Sequence, residues 1–227
     1  MSKVAVVFSG CGVFDGTEIH EAVSVLIHLS RASVEYECFA PDMPQRQVIN
    51  HLTGQPADEQ RNVLIESARI ARGQIAALTE LHEADYDAVF FPGGFGAAKN
   101  LCNFASGGAD CDVQPEVERV IKQFHQAGKP IGMCCIAPVL AARTLGREMG
   151  GPGVSVTIGD DAATASAIEA MGSSNAVKPV NEAHVDTANH LATAPAYMCD
   201  APIDQVHEGI GQMVERTLAM IGAPARA

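Results

Sequence analysis

Short apolar runs that end at glycine, proline or cysteine recur along this chain, and a segment with helical spacing follows each of them. Residues 4–8, 87–91 and 130–133 are such runs. Continuous apolar runs of this length are typical of strands buried on both faces of a parallel sheet. Strands that alternate with helices predict a sheet covered by helices on both sides, which is a three-layer α/β/α sandwich.

The helical segments carry their apolar residues at intervals of three and four, the spacing of one buried face. We predict a first helix capped by Asp15 or Thr17, with a buried face of Ile19, Ala22, Val23, Leu26 and Ile27. A later helix is predicted to begin at Pro115, a residue favoured at the first helical position. Its predicted buried residues are Val117, Val120, Ile121 and Phe124.

The remaining pattern completes a single predicted domain over residues 1–227. We predict strands at residues 34–40 and 154–158, helices at 58–72 and 163–171, and a last helix at 203–221. Two short strand-like pieces at 184–186 and 191–194 are separated by a turn-forming segment, and they predict a small hairpin.

The amino-acid composition limits which binding partners and which cellular location we expect. The 227 residues are 47% hydrophobic and 19% charged, with a formal net charge of −12. A strongly acidic chain has no basic surface for nucleic acid or anionic membranes. We find neither a signal peptide nor a run approaching the roughly 18 apolar residues of a membrane span. Seven scattered cysteines, an odd number without CxxC pairs, favour reduced thiols and a cytoplasmic protein without a structural metal.

Cys135 is the strongest candidate for chemistry. An apolar strand stops at Cys134 and Cys135, and a helix is predicted to start within about three residues, which is the setting of a nucleophile elbow. The helix N-terminus is expected to lower the thiol pKa and favour the reactive thiolate. The alternative is that both cysteines are small buried residues. Neighbours at a turn point in different directions, so we expect Cys134 to be the buried one.

Two further features lie at the predicted carboxyl ends of strands. The glycine-rich turn that contains Gly93 and Gly94 allows backbone N–H groups to approach a bound oxygen, although a plain tight turn is the alternative. Glu18 and Glu21 share one surface of the first helix. One interpretation makes either residue an acid or base near the thiol, and the alternative is that both are solvated residues of a first turn. Eight dispersed histidines show no metal-binding spacing.

The chain resembles the isoprenoid-biosynthesis-enhancing (lycopene-enhancing) protein family with an amidotransferase-like domain, within the ThiJ/PfpI superfamily. The resemblance is carried by SGCGVFDGTEIHEAV from Ser9, VINHLTG from Val48, RNVLIE from Arg61, FPGGFGAAKNL from Phe91, CIAP from Cys135 and APAYM from Ala194. It implies a class I glutamine amidotransferase-like, flavodoxin-like fold, often dimeric.

The same resemblance implies a glutathione-independent glyoxalase that needs no cofactor. It assigns the nucleophile to Cys135, the acid or base to Glu21, and oxyanion binding to Gly93, Gly94 and Ile136. Many superfamily members have a histidine on the strand after the elbow helix, where this chain has VTIGD from Val156. That departure weakens a protease or amidotransferase mechanism, which needs a base and an acid.

A small aldehyde or dicarbonyl substrate, such as glyoxal or methylglyoxal, and a homodimer are therefore expected. Two other functions stay open. One is a redox-responsive or partner-binding protein in which the same cysteine is oxidised, and the other is an amidotransferase-like subunit.

Overall fold

The computed structural model describes residues 2–222, in which eleven strands occur. In chain order they are β1 (Lys3–Val7), β2 (Glu35–Ala40), β3 (Ile49–Asn50), β4 (Gln55–Pro56), β5 (Ile75–Ala77), β6 (Ala88–Phe91), β7 (Ile131–Cys134), β8 (Ser155–Val156), β9 (Ser174–Asn175), β10 (His184–Asp186) and β11 (Leu191–Ala194).

Seven of these strands form the central sheet, in the order β10-β11-β7-β6-β1-β2-β5. All neighbours run parallel except β10, which pairs antiparallel with β11. The predicted mostly parallel sheet and its hairpin are confirmed. Because β1, β6, β7 and β11 are adjacent and parallel, the loops after them meet at one edge, the edge where sheets of this kind place their sites.

Helices cover both faces of the sheet. They are α1 (Ile19–Arg31), α2 (Val63–Ile70), α3 (Phe95–Lys99), α4 (Phe104–Gly107), α5 (Pro115–Gln126), α6 (Pro138–Thr144), α7 (Ala162–Ala170) and α8 (Ile203–Ala219). One apolar core lies between the sheet and α5, α6 and α7, and a second lies between the sheet and α1, α2 and α8. The three-layer sandwich is therefore confirmed. Among residues 2–222, no helix is long and apolar enough to cross a bilayer.

Helix α5 matches its prediction closely. It begins at Pro115, and the Gln114 side chain accepts a hydrogen bond from the Val117 N–H at 2.9 Å. The four residues predicted to be buried, Val117, Val120, Ile121 and Phe124, are all fully buried. Because the opposite side of this helix is strongly polar, the spacing of its apolar residues identifies only one buried face.

The predicted cap of α1 was wrong, and of its predicted buried face only Ala22 is buried, with Leu26 partly buried against the same core. Glu18 caps the helix, and its side chain accepts the Glu21 N–H. The buried positions are Glu21, Ala22, Ser24, Val25 and Leu29, whereas Ile19, Val23 and Ile27 are about 40% exposed. Apolar residues lie on two sides of this helix. The contacts made by its buried polar residues determine which side faces the core.

Three other elements differ from their predicted bounds. The helix predicted at 58–72 forms only over Val63–Ile70, where the Asn62 side chain caps it. The last helix ends at Ala219. The strand predicted at 154–158 shrinks to β8, which pairs with β9 in a separate two-stranded sheet. Short segments such as β5 and the β3–β4 pair carry too few apolar residues to show a period.

Close packing at Gly132 gives a test of how α8 lies against the sheet. A Cβ at this position would lie 2.5 Å from the Phe90 ring and 2.9 Å from Thr217 Oγ1. We expect Gly132→Ala to lower the free energy of unfolding by about 1–3 kcal/mol, because overpacking displaces both neighbours. Urea denaturation measures this. Gly107→Ala is the control, since its nearest atom is 3.3 Å away, and equal losses in the two variants would contradict the packing described.

Candidate active site

Cys135 occupies the predicted turn between β7 and α6, in a backbone conformation that residues other than glycine rarely adopt. Its φ is +59°, in the left-handed region. Its N–H donates to Ala194 O at 3.0 Å, so the pairing of β7 with β11 extends into the turn. Left-handed non-glycine residues cost about 1–3 kcal/mol and persist only where the surroundings fix them. The turn therefore holds the thiol at the carboxyl edge of the sheet.

Glu21 lies beside this turn and is fully buried. Its Oε2 accepts the Gly93 N–H at 3.0 Å, and its Oε1 accepts the Tyr197 N–H at 3.2 Å. The Cys135 side chain lies beside this carboxyl group, since both would contact a Cβ added to Gly93, and each of the two groups shifts the pKa of the other. One side chain of α1 thus contacts the chain just after β6, β7 and β11.

The two glycines of the turn after β6 have different roles. A Cβ on Gly93 would lie 2.5 Å from the Cys135 Cβ and 2.7 Å from Glu21 Oε2, so only glycine fits between them. The Gly93 N–H already donates to Glu21. This N–H therefore positions the carboxyl group. The sequence had led us to expect that it would bind a substrate oxygen. The backbone N–H groups of Gly94 and Ile136 face the Cys135 sulfur.

Burial raises the pKa of Glu21 to about 8, and the neighbouring Glu18 adds to the rise. The N–H groups of Tyr197 and Gly93 and the nearby Cys135 thiol oppose it without cancelling it. A carboxyl group removed from water favours its neutral form unless a positive charge compensates. Glu21 is therefore largely protonated at neutral pH, yet close enough to ionisation to exchange a proton.

The expected lowering of the Cys135 pKa is wrong for the free protein. Burial, and next the charge of Glu21, raise the pKa of this thiol well above its usual value. The Gly94 and Ile136 N–H groups lower it but do not prevail. Ile136 and Ala137 separate Cys135 from the short helix α6, whereas the Glu21 carboxyl group lies beside the thiol.

Both cysteines of the turn are buried, and a small difference separates them. Cys134 is 0% exposed and Cys135 is 7% exposed. The Cys134 sulfur lies 3.8 Å from Glu21 Oε2, and burial raises its pKa as well. Only Cys135 lines the neighbouring pocket.

That pocket has a volume of about 380 Å³ and opens over the Cys135 turn. Aromatic, small apolar and acidic side chains line it: Val13, Glu18, Gly94, Phe95, Ala98, Phe104, Ala105, Cys135, Ile136, Asp161, Thr164, Tyr197 and Met198. Within residues 2–222, the lining includes no histidine, lysine or arginine. A cavity of this size holds a small molecule.

Tyr197 is a pocket residue that the sequence interpretation missed. It follows β11, and the preceding Ala196 has a φ of +47°. Its hydroxyl group is hydrogen-bonded to His20 Nδ1 at 3.0 Å, and burial raises the Tyr197 pKa. His20, one of the eight dispersed histidines, is thus linked to a pocket residue. The signal was available, because residues that follow parallel strands converge at one edge.

A larger groove of about 930 Å³ runs along β2 and β5, away from this turn. Its one cysteine is Cys38, a buried thiol whose pKa burial raises to about 12. Such a thiol is inert at neutral pH. Across the described part of the chain, no three His, Cys, Asp or Glu side chains are grouped to hold a metal ion.

The chain is similar to curated proteins over almost its whole length. It is 56% identical to glutamine amidotransferase-like class 1 domain-containing protein 3, mitochondrial, of Homo sapiens, covering 97% of this chain and 84% of that protein. It is 54% identical to the ES1 protein homolog, mitochondrial, of Rattus norvegicus, covering 97% and 85%. The ES1 protein, mitochondrial, of Danio rerio is 38% identical over 96% and 86%. No protein-family model matches the chain.

Solved structures agree with the fold. An isoprenoid biosynthesis protein with an amidotransferase-like domain from Ehrlichia chaffeensis is 35% identical, with a TM-score of 0.91 over 97% of this chain and 99% of that one. A DJ-1 superfamily protein from Salmonella typhimurium has a TM-score of 0.55 at 22% identity over 97% and 88%, which shows likeness of fold alone. The resemblance drawn from the sequence is confirmed.

The expected cytoplasmic location is wrong. All three curated relatives are named as mitochondrial proteins. Scattered cysteines without CxxC pairs fit any reducing compartment, so they do not distinguish the cytosol from the mitochondrion.

The raised pKa of Glu21 predicts a pH dependence of stability. The folded protein holds this proton up to about pH 8, whereas the unfolded chain releases it near 4.5. Stability from this group is therefore present below the unfolded value and lost as pH rises through the folded one. The loss is on the order of 4 kcal/mol, at 1.36 kcal/mol per pKa unit.

We expect the difference in free energy of unfolding between wild type and Glu21→Gln to change by that order between pH 5 and pH 9, in favour of the variant. Chemical denaturation at each pH measures it. The glutamine side chain loses one of the two hydrogen bonds from backbone N–H groups. This loss lowers the free energy of unfolding of the variant by the same amount at every pH. Parallel curves for the two proteins would rule out the proton on Glu21.

Proposed function

Because the chain belongs to the family of glutamine amidotransferase-like class 1 domain-containing protein 3 and the ES1 proteins, we propose that it is a cofactor-independent carbonyl-processing enzyme. Its substrate is glyoxal or methylglyoxal, converted to the hydroxy acid without glutathione. The supporting observation is the position of the Cys135 thiol beside the buried Glu21 carboxyl group, whose pKa is about 8. A group with a pKa near the working pH is suited to accept and return a proton.

The first step is addition of the thiol to the aldehyde carbon. In its ionised form, Glu21 accepts the Cys135 proton, and the sulfur forms a bond to carbon while the C=O π bond opens. The N–H groups of Gly94 and Ile136 face the sulfur and support the oxygen that gains charge. Glu21 returns its proton to that oxygen, and the product is a neutral hemithioacetal.

The second step moves hydrogen within the bound substrate. Glu21 removes the proton from the carbon bonded to sulfur, giving an enediolate. The hydroxyl proton of that carbon passes to the neighbouring oxygen, and Glu21 delivers the proton that it holds to the adjacent carbon. The result is a thioester with a neighbouring hydroxyl group. Oxidation of one carbon is balanced by reduction of the other, so no external oxidant takes part. Water cleaves the thioester, which releases the hydroxy acid and the Cys135 thiol.

The composition of the pocket supports this chemistry over amide hydrolysis. Hydrolysis of glutamine needs an acid that protonates the departing ammonia, a role that histidine fills in cysteine and serine hydrolases. No histidine lines the pocket among the described residues. Rearrangement of a hemithioacetal has no amine leaving group, so Glu21 alone supplies the base that it needs.

Size and charge also suit a small neutral carbonyl compound. The pocket holds about 380 Å³, and its ionisable lining includes the carboxyl groups of Glu18 and Asp161. Acidic side chains without a basic partner repel carboxylate substrates. Phe95 and Phe104 provide apolar contact. A dicarbonyl compound of two or three carbons meets these conditions.

Substitution of the two neighbouring cysteines tests the proposal. We expect Cys135→Ala to reduce hydroxy acid formation from methylglyoxal to the uncatalysed level, because the nucleophile is lost. Cys134→Ala is the matched control and retains activity within about tenfold, since its sulfur does not reach the pocket. Product is measured by chromatography without glutathione or added metal. Unchanged turnover in Cys135→Ala would end the proposal.

The Tyr197 hydroxyl group, which lies in a pocket residue and is hydrogen-bonded to His20, is proposed with His20 as a path for protons between the pocket and solvent. His20 has 54% of its side chain exposed, while Glu21 has none. Tyr197→Phe keeps the backbone N–H that holds Glu21 and removes only the hydroxyl group. We expect kcat to fall about a hundredfold, the lower end of the range for one proton-transfer group.

The pH profile separates this role from a structural one. In wild type, kcat/KM rises with pH as the Glu21–Cys135 pair ionises near pH 8, a value that belongs to the pair. Tyr197→Phe is expected to keep that midpoint while losing rate. A shifted midpoint with unchanged kcat would mean that Tyr197 only positions Glu21.

A further inference from the structure

A second pair of thiols lies outside the proposed site, beneath the segment that joins α3 to α5. The chain runs from Cys102 through α4 and returns at Cys111. The two limbs pair as antiparallel backbone: Cys102 bridges Val113, and the Asn103 N–H donates to Asp112 O at 3.1 Å. Residues two apart on such a limb share one face. Cys111 therefore lies on the same side as Cys102.

The two thiols are buried in the same apolar core, and they are near enough for each to shift the pKa of the other. The Cys102 sulfur also lies 3.3 Å from Ala97 O. The exposed fractions are 4% for Cys102 and 0% for Cys111. This position is distinct from that of a lone buried cysteine such as Cys38, for which burial alone perturbs the thiol.

One sulfur of the pair is the better nucleophile. The neighbouring Cys102 thiol, together with the charge of Arg143, lowers the pKa of the Cys111 thiol against the effect of burial. Arg143 is fixed there, because its Nε donates to Cys111 O at 2.7 Å. When a thiolate is oxidised to a sulfenic acid, a neighbouring thiol resolves it by forming a disulfide. Cys111 and Cys102 are placed for these two roles.

We propose that Cys102 and Cys111 form a redox-active dithiol, which a hydroperoxide converts to an intramolecular disulfide. The Cys111 thiolate attacks the peroxide oxygen, the O–O bond breaks, and a sulfenic acid forms, while the departing oxygen takes a proton from solvent and leaves as water or an alcohol. The Cys102 sulfur then displaces hydroxide, which leaves as water with the Cys102 proton. Two thiols are oxidised and one hydroperoxide is reduced.

The segment between the two cysteines offers both access and a consequence. Gly107 is exposed, and its α-carbon has no side chain to shield Cys111, whose Cβ would lie 3.6 Å from an added Cβ. Helix α4 is four residues long, so local opening costs little. Phe104 and Ala105 of this segment line the pocket. The disulfide therefore ties both ends of one pocket wall.

Mass spectrometry of a Cys135→Ser protein tests the proposal independently of the carbonyl activity. The protein is treated with hydrogen peroxide, alkylated after denaturation, and digested. We expect a peptide cross-linked between residues 102 and 111, lighter by two hydrogen atoms and restored by dithiothreitol. Cys38 is the internal control and is recovered alkylated. Recovery of Cys102 and Cys111 as two alkylated or separately oxidised residues would overturn the proposal.

Phenylarsine oxide gives a second measurement that needs no oxidation, since its arsenic binds two neighbouring thiols at once. We expect one equivalent per Cys135→Ser chain, and loss of that binding when Cys111→Ser is added. Circular dichroism establishes that this variant is folded. Equal binding with and without Cys111 would place the arsenic elsewhere and contradict the closeness of the two thiols.

Discussion

A carboxyl group without access to water, that of Glu21, lies where neighbouring strands of the sheet end. It accepts N–H groups from Gly93, after β6, and from Tyr197, after β11, and it lies beside the thiol of Cys135, after β7. A buried carboxyl group is costly unless such partners satisfy it. The loops that supply them are held in place by the same hydrogen bonds, so the shape of this edge and the state of Glu21 depend on each other.

This constraint explains features that are unfavourable when taken alone. Helix α1 buries Glu21 and Ser24 and leaves Ile19 and Ile27 substantially exposed. Gly93 is required because any side chain would enter the space between Cys135 and Glu21. The left-handed backbone of Cys135 persists because pairing with β11 extends into the turn. Local cost at several positions is offset by one satisfied polar contact, a pattern that is common at functional sites.

The electrostatics of the edge follow from the same burial. Two neighbouring acidic groups cannot both ionise easily in a medium of low dielectric. The pKa of Glu21 therefore rises to about 8, and that of the Cys135 thiol rises well above its usual value. In the free protein the proton is retained by the pair. The proposed chemistry depends on that property, since the group that activates the thiol also returns its proton to the substrate.

Local pattern was enough to determine much of this molecule: the alternation of strands and helices, all four buried residues of α5, the β10–β11 hairpin and the turn at Cys135. Each depends on periodicity or turn chemistry within about a dozen residues. The family resemblance was also readable in the sequence, while its implied homodimer stays a prediction. Tertiary structure alone decided which side of α1 is buried, the direction of the thiol pKa, and the places of Tyr197 and of the Cys102–Cys111 pair. These properties arise where strand ends and loops distant in sequence come into contact, and periodicity carries no information about the groups that meet there.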